Sequence, residues 1–273
     1  MFRRLKWLLC IAVLAVLGCF ALSNKLAVRS YTVASEKITG DMTLCVVSDL
    51  HNCFYGENQA ELCGAIHAAD PDAVLITGDV CSGTSDFGGM QALLDGLGGR
   101  YPVYYVSGNH ESDTGELAEI KKLLQTQGVH VLEGDSRLLS ANGSAIRIAG
   151  LDDPISLTRE EWSHRLESLQ KEAQDGVFTV LLSHRPDRAD RYSGFDLVLC
   201  GHAHGGQVRI PGLLNGLWAP NQGWFPKYAG GEYALDDVTM IVSRGLEKSR
   251  APRIFNRPEL VVVKLEGTQS KPS

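Results

Sequence analysis

The chain has no surplus of positive charge. Its formal net charge of −6 and pI near 5.8 exclude a partner recognised mainly by neutralising phosphates, so no nucleic-acid polymer is expected. It also lacks the paired cysteine spacings of zinc fingers and dithiol redox motifs, although it contains seven cysteines. No Gly-x-Ser-x-Gly elbow follows a strand-like run, which removes the usual signature of a serine hydrolase. No internal repeat is found.

What is present is sufficient for one large domain. A length of 273 residues with 44% hydrophobic content can bury a substantial core. The N-terminus differs in kind: Arg3, Arg4 and Lys6 precede an unbroken apolar run from Trp7 to Leu22, and Ser23, Asn24 and Lys25 restore polarity. That order reads as an export or anchoring signal, short for a transmembrane helix of about 20 residues and long for a signal-peptide core of roughly 7–15. An uncleaved single-pass anchor over 1–24 is expected. The other readings are cleavage after the Ala21-Leu22-Ser23 region and lipidation in the lipoprotein-like Leu17-Gly18-Cys19. All three leave the basic residues inside and the domain outside the cytoplasm.

Residues 25–42 are read as a connector, 43–266 as the catalytic domain and 267–273 as a loose tail. Between them, near-continuous apolar strands alternate with helices. Strands are expected at 43–48, 73–77 and 103–107, and helices at 58–68, 89–97 and 116–127. After Gly128 come short hairpin strands, a helix over 159–172, strands at 177–183 and 196–200, and a β-rich end at 208–210, 233–243 and 259–265. The fold class is α/β, two sheets with helices outside them. Cys45 and Cys200 fall in strands and read as buried hydrophobes. Cys53, Cys63 and Cys81 read as packing residues, with a Cys53–Cys81 bridge as the alternative.

Metal-ligand residue types follow the inner strands: Asp49-Leu50-His51, Gly78-Asp79, Gly108-Asn109-His110-Glu111, Ser183-His184 and Gly201-His202-Ala203-His204. The carboxyl ends of parallel strands share one rim, so five separate clusters are expected to form one site. Each cluster alone is adequately explained as a turn, a cap or a structural histidine; their joint placement is not. Imidazole nitrogens with carboxylate and amide oxygens suit Mn, Fe, Zn or Co better than Ca or Mg. Asp49, His51, Asp79, Asn109, His184, His202 and His204 exceed the needs of one open-sited ion. Two ions about 3.5–4 Å apart are the usual apparatus for phosphate ester hydrolysis.

The blocks DLH, GDV, GNHE, SHRP and GHAHGGQ, in this order, resemble the signature of calcineurin-like metallophosphoesterases over about residues 43–265. GHAHGGQVRIP and the later VSRGLEKSRAPRIFNRPELVVV are similar to the membrane-associated or exported bacterial branch, which includes phosphodiesterases and relatives of UDP-diacylglucosamine pyrophosphatases. The resemblance implies a four-layer α/β/β/α sandwich of two mixed sheets. It implies that Asp49, His51 and His204 hold one divalent ion, that Asn109, His184 and His202 hold the second, that Asp79 bridges both, and that His110 is the general acid. Such a pair lowers the pKa of a shared water, and the resulting hydroxide attacks phosphorus in line. Asp49 is a candidate to orient His110, and Glu111 to cap a helix.

Arg185, Arg209, Arg244, Arg250 and Arg253 are candidates for phosphate or substrate binding, Arg209 foremost; solvated surface charge is the plain alternative for each. Trp218, Trp224, Phe225 and Tyr228 are candidates for a lid or a membrane-facing patch, with ordinary packing as the alternative. Asp152 and Asp153 read as neighbours of the site or as turn residues. His202 and His204 are expected in an extended segment, side chains on one face, each serving a different ion. The expected activity is extracytoplasmic phosphodiester hydrolysis at the membrane. The alternatives are a pyrophosphatase of nucleotide- or lipid-linked pyrophosphates and a non-catalytic surface metal-binding domain. Oligomeric state is not readable.

Overall fold

The computed structural model describes residues 4, 6–7, 18–81, 87–248 and 253–268. The first half of the domain alternates strands and helices. In order come β1 (Ala27–Ser35), β2 (Met42–Val47), α1 (Ala60–Ala69), β3 (Ala73–Ile76), α2 (Gly88–Leu97), β4 (Val103–Tyr105), α3 (Asn109–Asp113), α4 (Leu117–Thr126) and β5 (His130–Val131). The second half holds β6 (Asp135–Ala141), β7 (Ser144–Leu151), α5 (Arg159–Glu172), β8 (Phe178–Ser183) and β9 (Leu197–Cys200). It ends with β10 (Trp218–Ala219), β11 (Gly223–Trp224), β12 (Gly231–Leu235), β13 (Val238–Val242) and β14 (Glu259–Gly267).

Two six-stranded sheets result, ordered β1-β14-β2-β3-β4-β5 and β12-β13-β9-β8-β7-β6. Both are mixed: β2 to β5 run parallel but β14 is antiparallel to β2, while β7, β8, β9 and β13 run parallel between antiparallel β6 and β12. Strand side chains alternate between two buried faces, as the period of two requires. Leu44 and Val46 of β2 meet Val180, Leu182 and Ile148 of the other sheet, whereas Cys45 and Val47 pack beneath Leu62, Ile66 and Leu93 of the helices. On the far side Trp162, Leu166 and Leu169 of α5 cover Leu181, Val198 and Met240. The order of layers is helix, sheet, sheet, helix.

Local signals account for the best-defined element. Helix α5 starts at Thr158, whose hydroxyl accepts from Glu161 N–H at 3.2 Å, while the Glu161 carboxylate accepts from Thr158 N–H at 2.9 Å. This reciprocal pair satisfies two otherwise free donors.

Several expectations are corrected. The connector over 25–42 contains β1, a nine-residue strand paired in parallel with β14. Its exposed alternate positions suit an edge, and the polar Arg29, Ser30 and Thr32 interrupt any apolar run that would announce it. The stretch 208–210 makes only the isolated bridges Val208↔Ile254 and Ile210↔Leu214. β14 continues through Gly267, where the tail was expected to begin, and residues 269–273 lie outside the described residues. Cys53 and Cys81 are free thiols. The Cys81 thiol points to Glu111 Oε1 at 3.6 Å and Cys53 Sγ accepts from Lys248 N–H, so neither turns toward the other. Most of the N-terminal apolar run lies outside the described residues, and among those described no helix is long and apolar enough to cross a membrane.

Candidate metal centre

The five clusters occupy the carboxyl ends of β2, β3, β4, β8 and β9. The loops after β2 and β3 are zipped together: Asp49 N–H donates to Gly78 O, His51 N–H to Asp79 O and Asn52 N–H to Val80 O, at 3.0–3.1 Å. Gly108 lies so near this ladder that a Cβ there would stand 2.6 Å from Asp79 N and overlap Asp79 Oδ1. At Gly201 a Cβ would overlap Ser48 Oγ and Asp49 Oδ2. The glycines therefore let loops from two sheets converge by close approach.

Five of the expected ligands sit in the left-handed region: Asp49, His51, Asp79, His202 and His204, with φ between 46° and 66°. This conformation costs non-glycine residues energy and collects at functional sites. It also corrects the expected extended segment at 202–204. His204 opens a short 3-10 turn, and the two imidazoles reach their places through twisted backbone.

Three groups of side chains offer ligand atoms within 4.8 Å of one another: Asp49, His51 and His204; His51, Asp79 and His110; and Asp79, His184 and His202. Asp79 Oδ2 lies 3.7 Å from His51 Nε2 and 3.1 Å from His184 Nε2, between the two sides. His204 Nε2 is 3.7 Å from Asp49 Oδ1, and its Nδ1 faces the Glu247 carboxylate at 3.3 Å. The His51 and His204 rings stack with centroids 5.3 Å apart.

Hydrogen bonds to the far ring nitrogens fix which nitrogen faces inward. His184 Nδ1 lies 2.7 Å from the Thr77 carbonyl, which only accepts, so Nδ1 carries the hydrogen and Nε2 points at Asp79. His202 Nε2 lies 2.7 Å from Asn221 Oδ1, the oxygen that also accepts from Arg185 Nη1, so Nε2 is protonated and Nδ1 faces His184 Nε2 at 3.2 Å. Arg185 is held in turn by the buried Asp153 carboxylate at 2.7 and 3.0 Å. Partners of this kind orient metal-binding imidazoles.

The donor set fits divalent ions. Asn109 Oδ1 is buried and accepts no hydrogen bond, although such oxygens normally find a partner, and Asp79 Oδ2 faces only the His184 and His51 ring nitrogens. Burial opposes ionisation of Asp79, yet His184 beside it, with His51 and His110, holds its carboxyl far below the ordinary range. Burial likewise opposes the lowering at Asp49, where His204 and His184 prevail. Burial and the charge on His184 push His202 down to about 4, and burial lowers His204. Burial disfavours charge on His184, but Asp79 and Asp49 outweigh it and raise the ring to about 10. The result is ionised carboxylates facing neutral imidazoles, with a proton at the position of tightest contact.

His110 lies at the exposed mouth, its ring edge-on to His51 with centroids 4.6 Å apart and its N–H donating to Asp79 Oδ1 at 2.9 Å. Asp49 does not orient it; that carboxylate accepts from His202 N–H and from Ser48 Oγ. Glu111 is buried and accepts from the N–H groups of Asp79, Val80, Cys81 and Gly108 at 2.6–3.1 Å, so it caps α3 and also pins the Asp79 loop. Asp152 serves structure through Lys121 and Ser107.

Arg209 is not among the ligands: it lines a separate pocket with Arg29 and Arg244. Arg253 is buried and donates to the backbone carbonyls of Asn256, Glu247 and Arg244, and Arg250 lies outside the described residues. Asn221, Glu247 and the Thr77 carbonyl were not visible in the sequence. Pro220-Asn221 signals only a turn, and a carbonyl has no residue identity at all.

Residues 42–206 match the family described as Calcineurin-like phosphoesterase. The uncharacterized metallophosphoesterase YkuE of Bacillus subtilis strain 168 is 32% identical over 210 residues, covering 74% of this chain and 71% of that protein. The phosphodiesterase YaeI of Escherichia coli K12 is 25% identical over 201 residues, covering 71% and 70%. Among solved structures, GAP50, the anchor in the inner membrane complex of Plasmodium, aligns with a TM-score of 0.50 at 12% identity, covering 84% of this chain and 82% of that one, which is a likeness of fold. With its signature blocks brought to one rim of a four-layer sandwich, the chain belongs to the calcineurin-like phosphoesterase family and is a hydrolase of phosphoric esters.

Proposed function

We propose that the protein is a phosphodiesterase working outside the cytoplasm at the membrane, with two divalent transition-metal ions, Mn, Fe or Zn, at this centre. The observation that carries the reading is the convergence of Asp49, His51, Asp79, Asn109, His184, His202 and His204 on one rim, with the buried Asn109 Oδ1 accepting no hydrogen bond. Asp49, His51 and His204 would hold one ion and Asn109, His184 and His202 the other, with Asp79 shared. Ions bound there supply Lewis acidity toward phosphoryl oxygens and a water of lowered pKa.

The chain's own groups do the rest. Asn221 and Thr77 hold His202 and His184 in orientation, and Glu111 fixes the loop that presents Asp79. His110, exposed at the mouth, is placed to give a proton to the leaving oxygen. The similarity to the YaeI phosphodiesterase supports diester substrates. The N-terminal order of basic, apolar and polar residues supports the location.

The test is hydrolysis of bis-p-nitrophenyl phosphate by purified protein with metals varied. Activity that appears with Mn, Fe or Zn, vanishes on chelation and is lost in Asp79→Ala is expected; an Asp79→Ala protein with full activity would sink the reading. A His110→Ala protein is expected to lose about 10²–10⁴-fold on diesters with poor leaving groups and less on p-nitrophenyl esters, whose leaving oxygen needs little protonation. Protease protection of the catalytic domain in sealed membrane vesicles of known orientation tests the location.

A further inference from the structure

Arg209, nominated by sequence for the substrate, turns away into a pocket of about 480 Å³ that no metal-ligand candidate lines. Its walls carry three guanidinium groups, Arg29, Arg209 and Arg244, together with Ile210, Leu213 and Phe255. The cations are poorly balanced. The buried Glu259 carboxylate contacts Arg29 Nε at 3.4 Å and Arg244 Nε at 3.3 Å, which leaves one carboxylate among three arginines. Arg209 donates to the Gly205 carbonyl and to Asn215, neutral partners both. Burial and the neighbouring Arg244 depress Arg209 to about 10, which reflects this uncompensated charge. Clustered guanidiniums in a half-enclosed pocket bind phosphate well, because their forked donors match its oxygens.

The surroundings indicate where that phosphate comes from. Of the large hydrophobic side chains exposed among the described residues, all but Phe54, Leu138 and Ile155 lie in two stretches, 7–28 and 210–225. These stretches meet at the pocket. Arg29 directly follows the first, Ile210 and Leu213 belong to the second, and the pocket residue Phe255 donates its N–H to Ala21 O of the first at 2.7 Å. Trp218 and Trp224 form a cross-strand pair on the β10–β11 hairpin, with Phe225 beside it, all exposed. Phe255, Ile210 and Leu213 beside arginines, next to the end of a long apolar run and on a surface that also exposes two tryptophans, match the chemistry of a lipid headgroup layer.

We infer that the Arg29–Arg209–Arg244 pocket binds the phosphate of an anionic phospholipid, with Ile210, Leu213 and the tryptophan hairpin seated in the headgroup layer. This site is separate from the metal centre. It rests on the proposed membrane location and deepens it, since lipid bound here would hold the catalytic mouth at a set height above the bilayer.

The test uses the full chain in detergent micelles, with dioleoyl phosphatidic acid or dioleoyl phosphatidylcholine added, and native mass spectrometry to count retained lipid. Retention of phosphatidic acid over phosphatidylcholine is expected, falling about tenfold or more in Arg29→Gln and in Arg209→Gln, as loss of a charge-assisted hydrogen bond implies. Inorganic phosphate at the same concentration as the lipid should not displace it. Arg29→Gln, half-exposed and remote from the ligands, guards against misfolding as the cause and should hydrolyse bis-p-nitrophenyl phosphate like the parent. Equal retention of the two lipids, unchanged retention in both variants, or displacement by inorganic phosphate would each overturn the inference. A parent that retains lipid but fails to hydrolyse the diester counts against the enzymatic reading alone.

Discussion

The Asn221 amide oxygen and the His202 ring are joined across 2.7 Å, and the same oxygen accepts from Arg185 Nη1 at 2.9 Å. Asn221 stands at the turn of the β10–β11 hairpin, so a surface element reaches in to fix a candidate ligand it does not accompany in sequence. Asn221→Ala is expected to weaken metal binding by roughly 10–100-fold, the usual cost of losing such a partner. Asn221→Asp, which keeps the acceptor, should stay closer to the parent. Calorimetric metal titration of the three proteins decides; equal affinities would remove Asn221 from the site.

Glu111 carries four backbone hydrogen bonds in the core. Removing its carboxylate in Glu111→Ala leaves those donors unpaired at about 1–3 kcal/mol each if none relaxes. A loss of several kcal/mol in unfolding free energy is expected by urea titration, with a smaller loss for Glu111→Gln. A difference below about 1 kcal/mol, the ordinary range for single substitutions, would contradict this role.

An ion bound at His184 as proposed would compete there with a proton. The His184 value rises from 6.5 to about 10 in the fold, so the metal-free protein has this stabilisation in full below pH 6.5 and loses it as pH rises through 10. An ion on Nε2 replaces the proton, so metal loading near neutral pH should release protons into a weakly buffered solution. Thermal unfolding should show the chelated protein losing stability from about pH 7 to 10, with the loaded protein losing less. Parallel pH profiles would show that no ion binds at this ring.

Gly108 has ordinary extended backbone, φ −101°, so Gly108→Ala adds only a methyl group against Asp79. If Asp79 is shared between ions as proposed, metal content after purification should fall well below that of the parent, because its carboxylate is pushed from its place. A Gly99→Ala control meets open space, although its φ of 68° carries a modest backbone cost. Equal metal content in the Gly108 variant would mean the loops separate at little cost.

Cys45, Cys63, Cys81 and Cys200 are buried free thiols, and Cys53 is half-buried. Burial pushes Cys45 up to about 12 and raises the others too, so thiolate is scarce in the folded protein. A thiol reagent at pH 8 should label these five slowly in the native state and all of them in denaturant without reductant. Two missing thiols in the denatured sample would restore the Cys53–Cys81 bridge.

Much of the architecture was legible because its cause is local. The alternation of apolar runs and amphipathic helices placed α5 over 159–172 and the core strands within a residue or two, since burial on both faces leaves a continuous apolar trace. β1 left none: it is an edge strand whose exposed polar positions, Arg29, Ser30 and Thr32, look like a linker. The candidate ligands were legible as a group because only a few side chains can bind metals, and these follow strand ends. Asn221, Glu247 and Thr77 were not, because they act through spatial neighbours or a backbone carbonyl. The left-handed backbone at His202 and His204 was equally hidden, imposed by the packing of loops from two sheets.

The pairing of β1 with β14 bears on how the protein is made. β14 is inserted between β1 and β2, parallel to one and antiparallel to the other, so neighbours early in the chain are joined by a strand from its far end. Until residues 259–267 leave the ribosome, β1 has no partner and β2 keeps an open edge beside Cys45 and Val46. Closure of the first sheet is therefore a late, long-range event, slow by its topology and open to edge-to-edge association while it waits. A chain cut short before β14 would carry every candidate metal ligand and still lack the strand that completes their platform.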